Sequence, residues 1–284
     1  MVSQNIVVIA GPTASGKSAL AMQMAQELGG EIICADSRQI YQRMSIGTAC
    51  PSPEEYACVP HHGFEQLDPR ENYSAGQFIK DADAYVQEIQ ARNKTPILVG
   101  GTGLYLRAWR FGLDDVLPAD PQIREKLEQA SLEELYQKLQ ALDPVSAEYI
   151  KPNDSVRIKR ALEIYGVTGQ PASKLRQTNW NQAPRVHARW ILLCRDKKEL
   201  DLRLQARVAE MFDRGLLEEA LALREYLGTN DPFERLKTPG YLEALQLADG
   251  LISKEQALEL TFRRHRQYAK RQVTWFQKES WWNS

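Results

Sequence analysis

The residues Gly11-Pro12-Thr13-Ala14-Ser15-Gly16-Lys17-Ser18 fit the spacing G-x-x-x-x-G-K-[ST]. The glycines let the backbone wrap a phosphate with its N–H groups turned inward. Lys17 supplies a mobile positive charge, and the Ser18 hydroxyl is placed to hold Mg²⁺. Such a loop binds a di- or triphosphate, ATP included, but does not say what is done with it. Asp36 opens Asp36-Ser37-Arg38-Gln39, directly after the apolar run Glu31-Ile32-Ile33-Cys34-Ala35. A carboxylate there has two chemical readings. It is a magnesium ligand, as in nucleotide hydrolases, or a general base beside an attacking substrate. Thr102 lies within Gly100-Gly101-Thr102-Gly103-Leu104-Tyr105, where glycines permit close backbone approach to a ligand.

These groups meet only if the chain folds so as to bring them together. Asn5-Ile6-Val7-Val8-Ile9-Ala10, bounded by Gly11-Pro12, predicts a strand buried on both faces. Leu20, Ala21, Met24, Ala25 and Leu28 then recur at helical spacing from about Gly16, and Gly29-Gly30 stops the helix. Glu31 to Ala35 predicts a second strand. Ser52-Pro53-Glu54-Glu55 reads as a helix start. Phe78, Ala82, Tyr85, Val86 and Ile89 mark an amphipathic helix, followed by a third strand at Pro96-Ile97-Leu98-Val99. Strand–helix alternation at this spacing predicts an α/β fold, a parallel sheet of the P-loop nucleoside-triphosphate-hydrolase type with flanking helices. Ligands in such sheets lie beyond the carboxyl ends of the strands. Lys17, Asp36 and Thr102 are therefore expected to flank one cleft.

The pattern changes after about residue 112. Asp120-Pro121 caps one helix, and Ser131 with Glu134 forms a capping box for another carrying Leu132, Leu135, Leu139 and Leu142. Asn153-Asp154 precedes a third, with Ile158, Leu162 and Ile164-Tyr165, ended by Gly166 or Gly169. No strand is expected among them, so 112–187 reads as an all-helical insertion into a core of 1–111 and 188–284. Trp190-Ile191-Leu192-Leu193-Cys194 returns to strand character.

Composition narrows the class. Of 284 residues 43% are hydrophobic and 26% charged, enough apolar material for a sizeable core, which excludes disorder as the dominant state. No run approaches the length of a membrane span. The N-terminus lacks a basic region and enters the loop motif at once, unlike a signal peptide. Cys34, Cys50, Cys58 and Cys194 form no CxxC pair, so a reduced, cytoplasmic protein is expected. The net charge of −1 hides an uneven distribution: residues 151–189 carry eight Lys/Arg against two Asp/Glu, and 262–278 carry six Lys/Arg and no acid. Local patches of this kind can bind a polyanion. On the 262–276 helix, Phe262, Ala269, Val273 and Phe276 share one face, and Arg263, Arg266 and Lys270 share the next. A packed stripe beside a basic stripe suits a phosphate backbone.

In this order and spacing, GPTASGKS, DSRQIY and PILVGGTGLYLRA resemble the tRNA dimethylallyltransferases, also called tRNA isopentenyltransferases. The similarity continues through Tyr73 to Phe78, Asn153-Asp154 with Arg157 and Arg160 to Glu163, Met211 with Gly215 to Glu218, Gly240-Tyr241, and Tyr268 to Phe276. It covers nearly the whole chain. The resemblance implies transfer of the five-carbon group of dimethylallyl diphosphate to N6 of adenosine 37 beside the tRNA anticodon, with release of diphosphate. The cradle of Gly11 to Ser18 would then hold an isoprenoid diphosphate, with Lys17, backbone N–H groups and Mg²⁺ on Ser18 stabilising the leaving charge. By the same resemblance Asp36 is the base that takes the N6 proton, and Thr102 bonds near the diphosphate and the adenine. Arg207, one turn after Arg203, is a further candidate for a diphosphate contact. Asp36, Ser37, Arg38 and Gln39, the segment with Arg157 and Arg160, and Arg124 match tRNA-contacting positions. The adenine must be extruded from its stack to be reached. A monomer is expected.

The chain departs from the family in places. Val156 stands where Gln is common and Ser155 where Pro is, which puts one tRNA contact in doubt. Cys50 replaces a lysine in Gly47-Thr48-Ala49-Cys50-Pro51, and Thr238-Pro239 replaces an apolar-Gly pair before Gly240. The chain lacks the zinc-finger tail of eukaryotic relatives, so a bacterial type is expected. His61-His62 is not expected to bind metal, because adjacent side chains point apart. Trp281-Trp282 reads as packing or tail. The rival readings are an adenylate isopentenyltransferase acting on free AMP, ADP or ATP, a P-loop nucleotide kinase or ATPase, and a non-enzymatic RNA-binding module.

Overall fold

The structure is a computed structural model that describes residues 6–113, 120–176, 183–228 and 238–279. The first stretch runs β1 (Val7–Ala10), α1 (Lys17–Leu28), β2 (Gly30–Cys34), α2 (Ser45–Thr48), α3 (Pro53–Cys58), β3 (His61–His62), α4 (Ala75–Ala91), β4 (Thr95–Gly100) and α5 (Gly103–Phe111). Next come α6 (Pro121–Gln129), α7 (Leu132–Leu142), α8 (Pro144–Tyr149), α9 (Ser155–Thr168) and α10 (Ala172–Arg176). The chain ends with β5 (Arg189–Leu192), α11 (Lys197–Asp213), α12 (Leu216–Leu227), α13 (Tyr241–Ala248) and α14 (Lys254–Lys278). It divides into two compact units, Met1–Arg110 with Val186–Ser284, and Phe111–Arg185.

In the first unit five strands form one sheet in the order β3-β2-β4-β1-β5. Every pairing is parallel, with Ile9 opposite Val99 on one side of β1 and Ile191 on the other. Alternating side chains divide between two cores. Val8, Ala10, Ile33 and Leu98 pack with Phe78, Ala82, Val86 and Ile89 of α4 and with Leu106 and Trp109 of α5. Val7, Ile9, Ile32, Ile97 and Val99 pack with Ala21 and Ala25 of α1. The chain leaves β1 for β2, and β4 later fills the place between them, whereas β5 joins the opposite side of β1. The crevice of such a sheet opens where the connections diverge, at the carboxyl end of β1.

The strands expected from apolar runs are present, shifted by a residue or two. The edge strand His61–His62 is an addition to them: two residues make too short a run to register as a strand. His62 Nε2 bonds Glu31 Oε2 at 2.7 Å, and Arg92 reaches the same oxygen at 2.7 Å, so a buried acid on β2 is held by a histidine and an arginine. His61 Nδ1 contacts the Val59 carbonyl at 2.7 Å.

The last helix, α14, departs from the expected pattern. Its buried stripe is Ala257, Thr261, His265, Ala269, Gln272 and Phe276, and Phe262 and Val273 are only half-buried. Polar side chains thus take positions on its packed face that apolar periodicity would not assign.

The second unit is helical in its described residues, around a core of Leu127, Leu135, Leu139, Ile150, Ile158, Ala161 and Leu162. Asp120, Ser131 and Asp154 cap α6, α7 and α9 as their positions predict. Gly169, in the left-handed conformation at φ 68°, ends α9, and Gly166 stays inside it. The short helices α8 and α10 add to the three that the sequence predicts. Buried Asp143 ties them together, accepting from Ser146 Oγ at 2.6 Å and from the Ser173 N–H at 2.9 Å.

The carboxyl ends of β2 and β4 touch backbone to backbone. A Cβ on Gly100 would lie 2.0 Å from the Ala35 carbonyl oxygen. Gly100→Ala should therefore cost ~1–3 kcal/mol through forced separation of the two strand ends. Urea unfolding checks this: the midpoint should fall at an unchanged slope.

Candidate active site

The loop from Gly11 to Ser18 joins β1 to α1. Gly11 has φ +148°, and a Cβ there would meet the Leu193 carbonyl oxygen at 2.5 Å. Gly16, at φ +95°, caps α1 without a side-chain hydrogen bond, so the first-turn N–H groups remain available to an anion. Lys17 Nζ donates to the Pro12 carbonyl at 2.7 Å, across the mouth of the loop. Burial lowers the Lys17 pKa to about 8; Asp36 opposes that shift and Arg207 adds to it. Arg195 Nε donates to the Ser15 carbonyl at 3.1 Å and holds the loop from outside.

Asp36 follows β2. Its Oδ1 accepts the Arg38 N–H at 2.9 Å, a turn that fixes the carboxylate at the strand end. The Ser37 N–H donates to Thr102 Oγ1 at 3.0 Å. Burial, with the Asp36 charge beside it, raises the Tyr268 pKa, so the phenol stays protonated. The residues after β2 and β4 are thus one hydrogen-bonded assembly. Lys17, Ser18, Asp36, Gln39 and Arg207 line a common cleft at the carboxyl end of the sheet, with Gly100 at its wall. Thr102 stands behind this wall, one hydrogen bond from Ser37.

Arg207 comes from α11. Its Nη2 donates to the Thr48 carbonyl at 3.2 Å, and its buried Nε has no protein partner. Burial lowers its pKa. Gln39 donates Nε2 to the Thr48 and Ala49 carbonyls at 3.2 and 2.7 Å, so the amide N–H groups are committed to the end of α2. The segment that receives both side chains is clamped in turn. Glu219 accepts the Ile46 and Gly47 N–H groups at 2.8 and 2.9 Å, and the Tyr241 hydroxyl at 2.7 Å. Cys50, at the end of that segment, is buried, and burial pushes its thiol up to about 12. A neutral thiol occupies the place where the family pattern has a cation.

A divalent cation fits only with help from its ligand. Ser18 and Asp36 supply oxygens to the cleft. Among the described residues no group of three or more His, Cys, Asp or Glu is placed to hold a metal. The remaining oxygens of an octahedral Mg²⁺ would come from phosphate and water, the ion's usual company in such sites.

The basic side chains outside the cleft are largely held by acids. On α14, Arg263 pairs with Glu259 at 2.6 Å and Arg266 with Asp201 of α11 at 3.1 Å, and Lys270 is exposed. In the second unit Arg124 and Arg160 each bind Glu163 at 2.7 Å. Burial works to raise the Glu163 pKa, but hydrogen bonds from the two guanidiniums outweigh it and hold the acid below its ordinary range. Arg157 pairs with Asp154 at 2.8 Å. Val156 beside it is 71% exposed, an apolar side chain where the family commonly has glutamine. Trp281 and Trp282 lie outside the described residues.

Several residues of the assembly have no role legible in the sequence: Arg195, Glu219, Tyr241, Tyr268 and Gln272. Tyr241, Tyr268 and Gln272 stand inside segments that carry the resemblance, the one signal available for them. Hydropathy offers nothing, since each is a polar group used by backbone or side chains far away in the chain.

A parallel sheet with a phosphate loop at the end of its diverging strand, and a carboxylate and two cations converging there, defines a P-loop protein acting on a phosphorylated substrate. Similarity to known proteins narrows that class. A family model described as IPP transferase matches residues 39–279, and one described as isopentenyl transferase matches 4–61. The chain is 41% identical over 275 residues to a tRNA dimethylallyltransferase 1 of Citrifermentans bemidjiense, covering 97% of this chain and 90% of that protein. It is 44% identical over 278 residues to a tRNA dimethylallyltransferase of Anaeromyxobacter dehalogenans, covering 96% and 92%. Among solved structures it is similar to the tRNA isopentenylpyrophosphate transferase of Bacillus halodurans, at 35% identity and TM-score 0.67 over 98% of this chain and 88% of that one. It is also similar to a eukaryotic dimethylallyltransferase captured acting on tRNA, at 32% identity and TM-score 0.84 over 96% and 70%. The chain belongs to the IPP transferase family.

The lowered pKa of Lys17 makes diphosphate capture pH-dependent. Below about 8 the free loop already carries the charge, and above it binding must take up a proton. Affinity for inorganic diphosphate should therefore weaken by up to about tenfold per pH unit above that point. Calorimetry across pH checks this, with Lys17→Ala binding more weakly and lacking that limb of the profile.

Proposed function

We propose that this chain is a tRNA dimethylallyltransferase: it moves the dimethylallyl group of dimethylallyl diphosphate to N6 of adenosine 37 in tRNA and releases diphosphate. The observation that carries the reading is the meeting of Lys17, Ser18, Asp36 and Arg207 around one cleft at the end of β1, in a chain whose residues 39–279 match the IPP transferase model. The names of the relatives supply donor and acceptor.

The reaction exchanges one bond for another. N6 attacks the allylic carbon, the bond from that carbon to the diphosphate oxygen breaks, and the bonding pair leaves with diphosphate. Negative charge grows on the leaving group, and Lys17, Arg207 and the N–H groups at the start of α1 receive it in a cleft where burial strengthens each interaction. Mg²⁺ held through Ser18 would add to that neutralisation. N6 is a weak nucleophile and becomes acidic as the new bond forms, so Asp36 takes its proton. The N–H of Ser37, tied to Thr102, keeps the base at the strand end while adenine enters.

The acceptor reaches this site only as an extruded base. Arg38 beside Asp36, the exposed Lys270 and its neighbours Arg263 and Arg266 on α14 are assigned to the tRNA backbone, as are Arg124, Arg157 and Arg160 in the second unit. The acid partners of Arg157, Arg263 and Arg266 do not forbid this: exposed pairs are worth little and exchange readily for phosphate. Glu163 presents Arg124 and Arg160 as a fork of fixed spacing. No helix among the described residues is long and apolar enough to cross a membrane. We place the reaction in the cytoplasm, with a single chain sufficient for it.

Nucleoside mass spectrometry on unmodified tRNA incubated with protein, Mg²⁺ and dimethylallyl diphosphate should show one dimethylallyl group on adenosine 37, with AMP in a parallel tube unchanged. Prenylated AMP with untouched tRNA would establish the free-nucleotide reading instead. In the same assay Asp36→Asn should lower turnover by ~10²–10⁴-fold while tRNA binding persists, and unchanged turnover would remove the base from Asp36. Replacing Arg263, Arg266 and Lys270 together by alanine should flatten the dependence of tRNA affinity on salt, by about one unit of log–log slope for each phosphate no longer neutralised. A slope equal to the parent's would take α14 off the RNA.

A further inference from the structure

Gln272 of α14 is only 6% exposed. Its Oε1 accepts the N–H of Thr13 at 2.8 Å, and its Nε2 donates to the carbonyl of Gly101 at 2.9 Å. One amide therefore grips the diphosphate loop with one end and the residue before Thr102 with the other. The seat is close: a Cβ on Gly101 would lie 2.2 Å from Nε2. Buried amides are costly unless their bonds are made. On a helix face whose neighbouring buried positions include Ala269 and Phe276, an apolar side chain would serve packing as well. The use of glutamine here points to the two backbone groups it holds.

We propose that Gln272 is a positioning residue for the transfer. It sets the Thr13 peptide of the diphosphate cradle at a fixed distance from the turn that carries Thr102. Through the Ser37–Thr102 hydrogen bond it acts on the segment of Asp36 as well. Donor side and acceptor side of the cleft are thereby registered against each other from a helix assigned to the tRNA backbone. With the Thr13 N–H anchored, the preceding Pro12 carbonyl is held where Lys17 meets it at 2.7 Å. Without the anchor the loop must be ordered by the diphosphate itself, and the ordering cost emerges as weaker affinity. The ligand's identity rests on the reading under Proposed function; the hydrogen bonds of Gln272 do not.

Two variants test this. Gln272→Leu leaves the Thr13 N–H and the Gly101 carbonyl without partners, and should weaken binding of inorganic diphosphate ~10-fold or more. The KM for dimethylallyl diphosphate should rise by the same factor, with tRNA affinity unchanged. Gln272→Glu keeps an acceptor for Thr13, but an ionised carboxylate cannot donate to Gly101, whereas a protonated one can. Burial raises the pKa of such a carboxyl. Relative to the parent, the Glu variant should therefore recover diphosphate affinity as pH falls from about 8 to about 6. Parent-like diphosphate affinity in both variants would overturn the proposal. So would equal losses of diphosphate and tRNA binding together with a lowered melting temperature and a flat relative pH profile, the signature of a merely structural residue. If the Leu variant fails to fold, the pH profile of the Glu variant decides. A parent protein whose diphosphate affinity depends on Gln272 yet which prenylates no tRNA would leave this inference standing and remove the transfer reading.

Discussion

The site depends on how closely the strand ends can be brought together. Beyond β1, β2, β4 and β5 the backbone is packed at distances a side chain would prevent, with 2.0 Å between a hypothetical Cβ on Gly100 and the Ala35 carbonyl and 2.5 Å between one on Gly11 and the Leu193 carbonyl. Close packing of this kind is what places a phosphate loop and a carboxylate on one cleft, with the threonine turn behind its wall. Each of the three belongs to a different strand and has no local reason to meet the others. The parallel register makes the meeting possible, since all three strands present their carboxyl ends on the same side.

Electrostatics of the cleft follow from that geometry. Lys17 and Arg207 are drawn into a partly dehydrated space with Asp36 as their nearby countercharge, and burial lowers the pKa of both cations. Such an arrangement holds positive charge that the fold alone does not fully satisfy. The buried Nε of Arg207, without a protein partner, is the local sign of it. An anionic leaving group completes the balance, which is the sense in which the site is complementary to a diphosphate late in its departure. Glu219, itself held by the Tyr241 hydroxyl, and Gln272 act on backbone N–H and carbonyl groups, so they constrain positions from outside the lining of the cleft.

The second unit uses charge differently. Arg124, Arg157 and Arg160 are held by acids, two of them by one buried glutamate. The pairing fixes where these guanidiniums stand in the absence of RNA.

Much of this is legible in the chain. The glycine spacing of the loop, the β-branched runs of β1, β2 and β4, the capping residues Ser52, Asp120, Ser131 and Asp154, and the order of the motifs are local or ordered in sequence. Strand, helix start and phosphate loop follow from a few neighbouring residues, whose physical preferences act whatever lies elsewhere. Tertiary structure alone decided the rest: that His61–His62 is an edge strand against a buried Glu31, that the packed face of α14 carries Gln272, and that Glu219, Tyr241 and Gln272 hold the site in register. These depend on hydrogen bonds between groups far apart along the chain. A polar residue destined for a distant carbonyl has the same hydropathy as one destined for water, and only the folded chain distinguishes them.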